Sequence, residues 1–265
     1  MIVSLRETAQ AWLAAGRTAV IVEVAECKGS VPRETGTRML VTAETVAGTI
    51  GGGHLELQAI AAARTMLRSG DPSPRDQTIA LGPSLGQCCG GALTLRYALL
   101  EAHTPWPEPP ARFALQLYGA GHVGRAIVAL LSGIPCRVWW IDEREAEFPA
   151  RGDAPHIERV CVEPVEAEVA QAPAGAYFLV LTHSHELDLR IAEAILRRGD
   201  FGWFGLIGSA TKRARFEHRF EQRGIAPATV ARMVCPIGVP GIEGKEPEVI
   251  AVAVVAQLLQ ASSAD

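Results

Sequence analysis

LQLYGAGHVGRAIVALL, residues 115–131, decides the fold of the second half of the chain. An apolar segment with strand character runs into Gly119, Gly121 and Gly124, which open a helical segment in G-x-G-x-x-G spacing. The first glycine permits a tight turn, the second lets backbone approach a pyrophosphate, and the third permits close packing of helix on strand. The helix N-terminus favours the anion. Asp142 ends the next predicted strand, where an acidic residue takes a ribose hydroxyl, so its position favours NAD-like over NADP-like recognition. A dinucleotide or the nucleotide portion of another cofactor fits this turn; glycines that serve packing alone are the competing reading.

Outward from this turn, the chain alternates strand and helix, the pattern of a parallel sheet with helices on its faces. Strands are predicted over 113–118, 137–141, 159–162, 177–181, 204–207 and 233–235, and helices over 123–131, 187–197 and 211–222. A last helix over 247–260 is apolar almost all round, so it is expected to be buried against the sheet or a partner. Upstream, 101–112 carries Pro105, Pro107, Pro109 and Pro110 and reads as an extended linker. Before it the pattern is a helix over 5–15 opened by a Ser4/Glu7 capping box, a strand over 18–24, a hairpin of 38–42 with 45–50, a helix over 55–68, and strands over 77–81 and 92–99. The expected architecture is α/β: a small α+β domain over 1–100, the linker, and a Rossmann-like domain over 113–265.

The 265 residues are 48% apolar and carry a net charge of −4, so there is ample material for cores and no basic footprint for nucleic acid or an anionic membrane. Six cysteines without regular spacing fit a reducing compartment, and the chain is expected to be cytoplasmic. Three loops of the first domain carry chemistry. Gly51, Gly52 and Gly53 lie between a strand and a helix, where successive amides form either an anion nest or a plain turn. Glu56, in the first turn of that helix, suits its dipole. Cys88 and Cys89 are adjacent and flanked by Gly86, Gly90 and Gly91, which favours exposed thiols able to meet a soft metal centre. Lys28, Arg33 and Arg38 surround a loop where guanidinium groups are able to clamp a phosphate. Cys27 sits at the same loop, while Cys136 and Cys161 read as buried structural thiols.

In the second domain, Gly208, Ser209 and Lys212 follow a strand and open a helix, a second candidate anion cradle. Cys235 ends the last strand as a thiol reachable by position. His183 and His185, read as alternating to one side of a strand end with Asp188 nearby, are the basis for a rival reading as a metal-dependent hydrolase. An NAD(P)-dependent oxidoreductase and a purely structural assembly factor are two further rivals. No hydride-transfer apparatus or separate substrate domain is evident after the Rossmann segment.

The series GSVPRETGTRM (29–39), GTIGGGHLE (48–56), LGQCCGG (85–91), YGAGHVG (118–124) with IDER (141–144), THSHELD (182–188), FGLIGSATKR (204–213) and CPIGVPGIEGKEPEVIAVAV (235–254) resembles the XdhC family, related to the CoxI group. The resemblance covers nearly the whole chain. It implies an accessory protein without turnover of its own. Such a protein binds the molybdenum cofactor, protects it while a cysteine desulfurase sulfurates the metal, and inserts it into apo xanthine dehydrogenase. Proteins of molybdenum cofactor biosynthesis are implied as further partners, and a homodimer is expected. Cys88 and Cys89 stand at the family's paired cysteines, and Gly119, Gly121 and Gly124 at its Rossmann turn. His54 stands where the CoxI-like branch carries cysteine; Val249 and Ala253 replace the family's usual glutamate and serine. The cofactor is expected in a cleft where the Rossmann strand ends face the first domain, with His183, Gly208 and Ser209 among its contacts.

Overall fold

The computed structural model describes residues 4–81, 90–107, 110–150 and 154–263. The chain forms two units, which divide between Pro107 and Glu108. In the first, α1 (Leu5–Ala14) starts at the expected box: Ser4 Oγ accepts the Glu7 N–H and the Glu7 carboxylate accepts the Ser4 N–H. There follow β1 (Val20–Lys28), β2 (Arg38–Val41), β3 (Val46–Gly48), α2 (Gly53–Ser69), β4 (Arg75–Ala80) and β5 (Ala92–Leu99). The strands form one antiparallel sheet in the order β3-β2-β1-β5-β4. Alternation sorts its two faces. Val20, Val22, Val24, Met39, Val41, Leu93 and Leu95 bury against Leu55, Ala59, Ala63 and Met66 of α2. Ala19, Ile21 and Leu40 join Ala9 of α1 on the other face.

β1 runs past its expected end at 24, because an irregularity between Val24 and Glu26 lets pairing with β5 continue to Lys28 opposite Ala92. Part of the expected linker belongs to this unit. Trp106 packs with the cluster around Leu100, Arg38 lies 5.4 Å over its ring, and Arg38 Nη1 donates to the Pro105 carbonyl at 2.5 Å.

The second unit carries β6 (Ala114–Tyr118), α3 (His122–Leu131), β7 (Arg137–Asp142), β8 (Ile157–Cys161), β9 (Tyr177–Val180), α4 (His185–Arg198), β10 (Trp203–Leu206), α5 (Ala210–Gln222), α6 (Pro227–Val230), β11 (Met233–Val234) and α7 (Pro247–Ala261). Its strands are all parallel, in the order β11-β10-β9-β6-β7-β8. With β6 as the first strand, this is the doubly wound 3-2-1-4-5-6 order, whose switch point lies between β6 and β9. Every residue of β9 and β10 is buried, as a sheet covered on both faces requires. One face, with Tyr118, Phe178, Val180 and Phe204, packs against α4 and α5. The other, with Leu115, Leu117, Val138 and Trp140, packs against α3 and α7. α7 is not buried all round, since Val252 is half exposed. The turns Glu145–Glu147 and Val165–Gln171, both 3-10, and α6 lie outside the predicted elements. Among the described residues no helix is long and apolar enough to cross a membrane.

Candidate functional site

The C-terminal edge of the parallel sheet gathers the glycine turn after β6, the acidic run after β7 and the loops after β9 and β10. The three glycines divide their work as the spacing predicts. A Cβ on Gly119, whose φ is +122°, would meet the Leu181 carbonyl oxygen at 2.4 Å, and one on Gly124 would meet the Gly119 carbonyl oxygen at 2.1 Å. Both positions are closed to any side chain. A Cβ on Gly121 would meet nothing within 4 Å, so this backbone faces open space. Gly121 is also the N-cap of α3, and no side chain caps that helix. Its first-turn amides therefore point toward the space beside Gly121, with the dipole favouring an anion there.

Asp142 behaves differently from its expected role. Its Oδ2 accepts the Ala120 N–H at 2.7 Å and Arg144 Nη2 at 3.0 Å; its Oδ1 accepts the Arg144 N–H at 2.9 Å and Nε at 3.0 Å. Four donors fill the acceptor capacity of a carboxylate. Burial pushes its carboxyl upward, but the Arg144 and Ala120 hydrogen bonds and the Arg144 charge outweigh this and hold it below the usual range. Asp142 thus braces the glycine turn, and its carboxylate is taken up by the protein itself. Beside it, Glu143 has no such set of hydrogen bonds among the described residues. Its side chain is 25% exposed and lies 3.7 Å from His183 Nε2. Gly119, Asp142, Glu143, Thr182 and His183 line a small cavity of about 10 Å³, room for one water.

The second cradle is filled from within. Ser209 Oγ accepts the Lys212 N–H and so caps α5. Lys212 turns inward, and its Nζ lies 2.5 Å from Asp188 Oδ2 and 2.8 Å from the Ile207 carbonyl oxygen. Asp188 Oδ1 accepts the Thr182 N–H and hydroxyl. The pair is almost wholly buried and locks the first turn of α4 to that of α5. Gly208 is required by this arrangement, since a Cβ there would stand 2.7 Å from Lys212 Cδ. Sequence reading placed Asp188 in a metal site and Lys212 in an anion cradle; the signal for their pairing was a carboxylate and an ammonium in the first turns of two successive helices.

The hydrolase reading loses its ligands on these contacts. β9 ends at Val180, His185 is the first residue of α4 rather than part of a strand, and its Nδ1 lies 3.0 Å from Arg215 Nη2. Among the described residues no three His, Cys, Asp or Glu side chains group to hold a metal ion. Cys235 is buried, and that burial raises its thiol pKa, so it is not the reachable thiol its position implied. Cys161, expected to be buried, is exposed, because β8 is the edge strand. Cys136 is buried as expected, with its thiol pushed up to about 11.

In the first unit, the glycine loop holds an anion of the chain's own. Glu56 Oε2 accepts the Thr49 hydroxyl at 2.5 Å and the N–H groups of Ile50 at 3.0 Å and Gly52 at 3.1 Å. Burial pushes the Glu56 carboxyl up, yet these bonds and the Arg33 charge hold it below the usual range. Gly51, Gly52 and Gly53 all take positive φ, and a Cβ on Gly51 would strike Pro32 at 2.7 Å. The loop therefore packs on the segment that carries Arg33, which is exposed. Arg38 is no phosphate clamp: it is mostly buried, bonded to Glu23 through Nε at 2.7 Å and held against Trp106. A Cβ on Gly91 would meet the Ser30 and Lys28 carbonyl oxygens at 2.3 and 2.7 Å, so the start of β5 lies tight on the Cys27 loop. Cys27 Sγ lies 3.4 Å from the Arg33 carbonyl oxygen. Cys88 and Cys89 lie outside the described residues.

Comparison with known proteins gives three results. A family model described as the XdhC Rossmann domain matches residues 115–258, and one described as the XdhC and CoxI family matches residues 12–78. The uncharacterized protein YqeB of Escherichia coli (strain K12) is 29% identical over 251 residues, which is 91% of this chain; the chain spans only 43% of the length of that relative. A Bacillus halodurans protein whose crystal structure is described as that of a xanthine dehydrogenase shares the fold, with a TM-score of 0.72 at 18% identity, over 98% of this chain and 96% of the other.

Proposed function

The chain belongs to the XdhC family, and from that premise we propose that it carries the molybdenum cofactor during xanthine dehydrogenase maturation. Members of the family are accessory proteins rather than catalysts. The cofactor is the cargo: it is held while a cysteine desulfurase sulfurates its metal, then passed to the apo-dehydrogenase. Molybdenum cofactor biosynthesis proteins supply it, and the carrier works in the cytoplasm as a homodimer. The observation that carries the reading is the α3 turn, where open space beside Gly121 and an uncapped helix start suit a phosphate or pyrophosphate. Gly119 and Gly124 hold that turn in shape, and His183 stands beside it. In the first unit Arg33 offers a cationic donor, and Cys88 and Cys89 offer soft ligands for the metal.

Anaerobic mixing of purified protein with molybdenum cofactor, followed by gel filtration with metal and pterin quantified, tests this reading. Wild type is expected to co-elute with pterin and molybdenum in near-equal amounts; failure of both to co-elute overturns the carrier role. Cys88→Ala and Cys89→Ala are expected to keep pterin and lose metal. Unchanged metal in both variants removes the thiols from the assignment.

A further inference from the structure

We infer that residues 101–107 form a releasable strap, whose docking on the first unit switches the tether between the two units from long to short. The inference is independent of the cargo proposed above. Leu100 makes the last sheet bond before the strap, donating its N–H to the Ala19 carbonyl at 2.9 Å. On the far side, the Arg112 N–H donates to the Pro135 carbonyl at 2.8 Å and anchors the chain to the second unit. Between these points the strap is held to the first unit at its end. Trp106 packs with the cluster of Ala9, Ala19, Ile21, Leu40 and Leu100. Arg38 lies over the Trp106 ring and donates through Nη1 to the Pro105 carbonyl.

Arg38 can serve as the catch because it is itself fixed. Its Nε and Nη2 lie 2.7 and 2.6 Å from Glu23 Oε2, across the paired strands β1 and β2. One edge of the guanidinium is thus spent on the carboxylate, while Nη1 remains for a carbonyl and the planar face for an indole. The strap backbone adds little to the hold. Pro105 and Pro107 have no N–H, and the Thr104 N–H closes a turn within the strap on the Glu101 carbonyl at 3.0 Å. Among the described residues no backbone hydrogen bond joins 101–107 to the sheet. A half-buried ring and one side-chain hydrogen bond therefore open far more readily than the sheet unfolds. With the strap docked, residues 108–111 alone separate Pro107 from Arg112; with it released, residues 101–111 separate Leu100 from Arg112. Fully extended, these stretches span at most about 17 Å and about 42 Å, so release adds roughly 25 Å of reach. Tether length sets the volume in which one unit meets the other, so the catch at Arg38 governs how far the two units can part.

Cleavage of the full chain by a glutamate-specific protease under native conditions reads the strap, since the Glu101–Ala102 bond lies within it. Small-angle scattering of the same samples reads the reach. Trp106→Ala removes the ring; Arg38→Lys keeps a charge for Glu23 but lacks the fork that also meets Pro105. Each is expected to speed initial cleavage after Glu101 about tenfold, the scale of losing one such contact. Each is also expected to lengthen the maximum dimension by about 10 Å or more, within the added reach. Melting temperatures are expected to stay within a few degrees of wild type, because the strap opens without the sheet. Cleavage and dimension unchanged in either variant overturn the inference, as does a wild type cut after Glu101 as fast as the variants. Faster cleavage together with a melting temperature lowered by more than about 10 °C overturns it as well, because the opening then belongs to the whole unit.

Discussion

At Asp142 and Glu56, single carboxylates organise glycine loops. Asp142 is buried and Glu56 half-buried, yet each is stabilised in its ionised form because several N–H or O–H groups converge on it. With folded pKa values below the ordinary 3.8 and 4.5, each adds stability that is fully present above those values. That contribution fades as pH falls through the depressed folded values. Denaturant titrations between neutral pH and about pH 3 are therefore expected to show stability falling in the acid range, with a smaller fall in Glu56→Gln and Asp142→Asn. Asp142→Asn places an amide donor or a single acceptor among four donors and is expected to lower stability by about 1–3 kcal/mol, read as a lower melting temperature. A melting temperature unchanged from wild type would remove the bracing role from Asp142.

At the scale of elements, the helix starts of α3, α4 and α5 show why similar sequence signals lead to different outcomes. Ser184 caps α4 and Ser209 caps α5, each serine accepting the N–H three residues on. α3 has glycine in that place and keeps its first turn open. Gly121→Ala is expected to leave the melting temperature within a degree or two while weakening anion or nucleotide binding, since its φ of −68° suits alanine and its Cβ would enter the ligand space. Gly119→Ala is expected to destabilise the unit by about 1–3 kcal/mol, from its positive φ and the Leu181 carbonyl. The Asp188–Lys212 pair joins α4 to α5, so Lys212→Met, which strands a buried carboxylate, is expected to cost about 3–5 kcal/mol. Asp188→Leu with Lys212→Met is expected to recover much of that loss in the same melting assay. A double variant as unstable as the single one would place the cost in packing instead.

For the molecule as a whole, each unit has hydrophobic cores of its own among the described residues. Independent cores predict separable stability. Limited proteolysis is expected to cut first near 107–112, where Pro110 and Ala111 are exposed, and to leave two fragments that resist further digestion. Progressive digestion of both fragments at once would show that neither unit stands by itself.

Periodicity and glycine spacing determined the element order and the Rossmann turn, because alternating burial and steric demands at Gly119 and Gly124 are local properties written into neighbouring residues. The same local logic located Ser4, Cys136 and the buried strands β9 and β10. It did not reach the partners of charged groups. Whether Asp142 faces a ribose or Arg144, whether Lys212 meets a phosphate or Asp188, and whether the nest at Gly52 holds a ligand or Glu56 depend on which side chains the fold brings within about 3 Å. Trp106 joined the first unit rather than the linker for a similar reason, since its burial needs a surface that only the folded sheet provides. Tertiary structure decides such pairings because Coulomb and hydrogen-bond terms fall off over a few ångströms, whereas separation along the chain leaves those distances open.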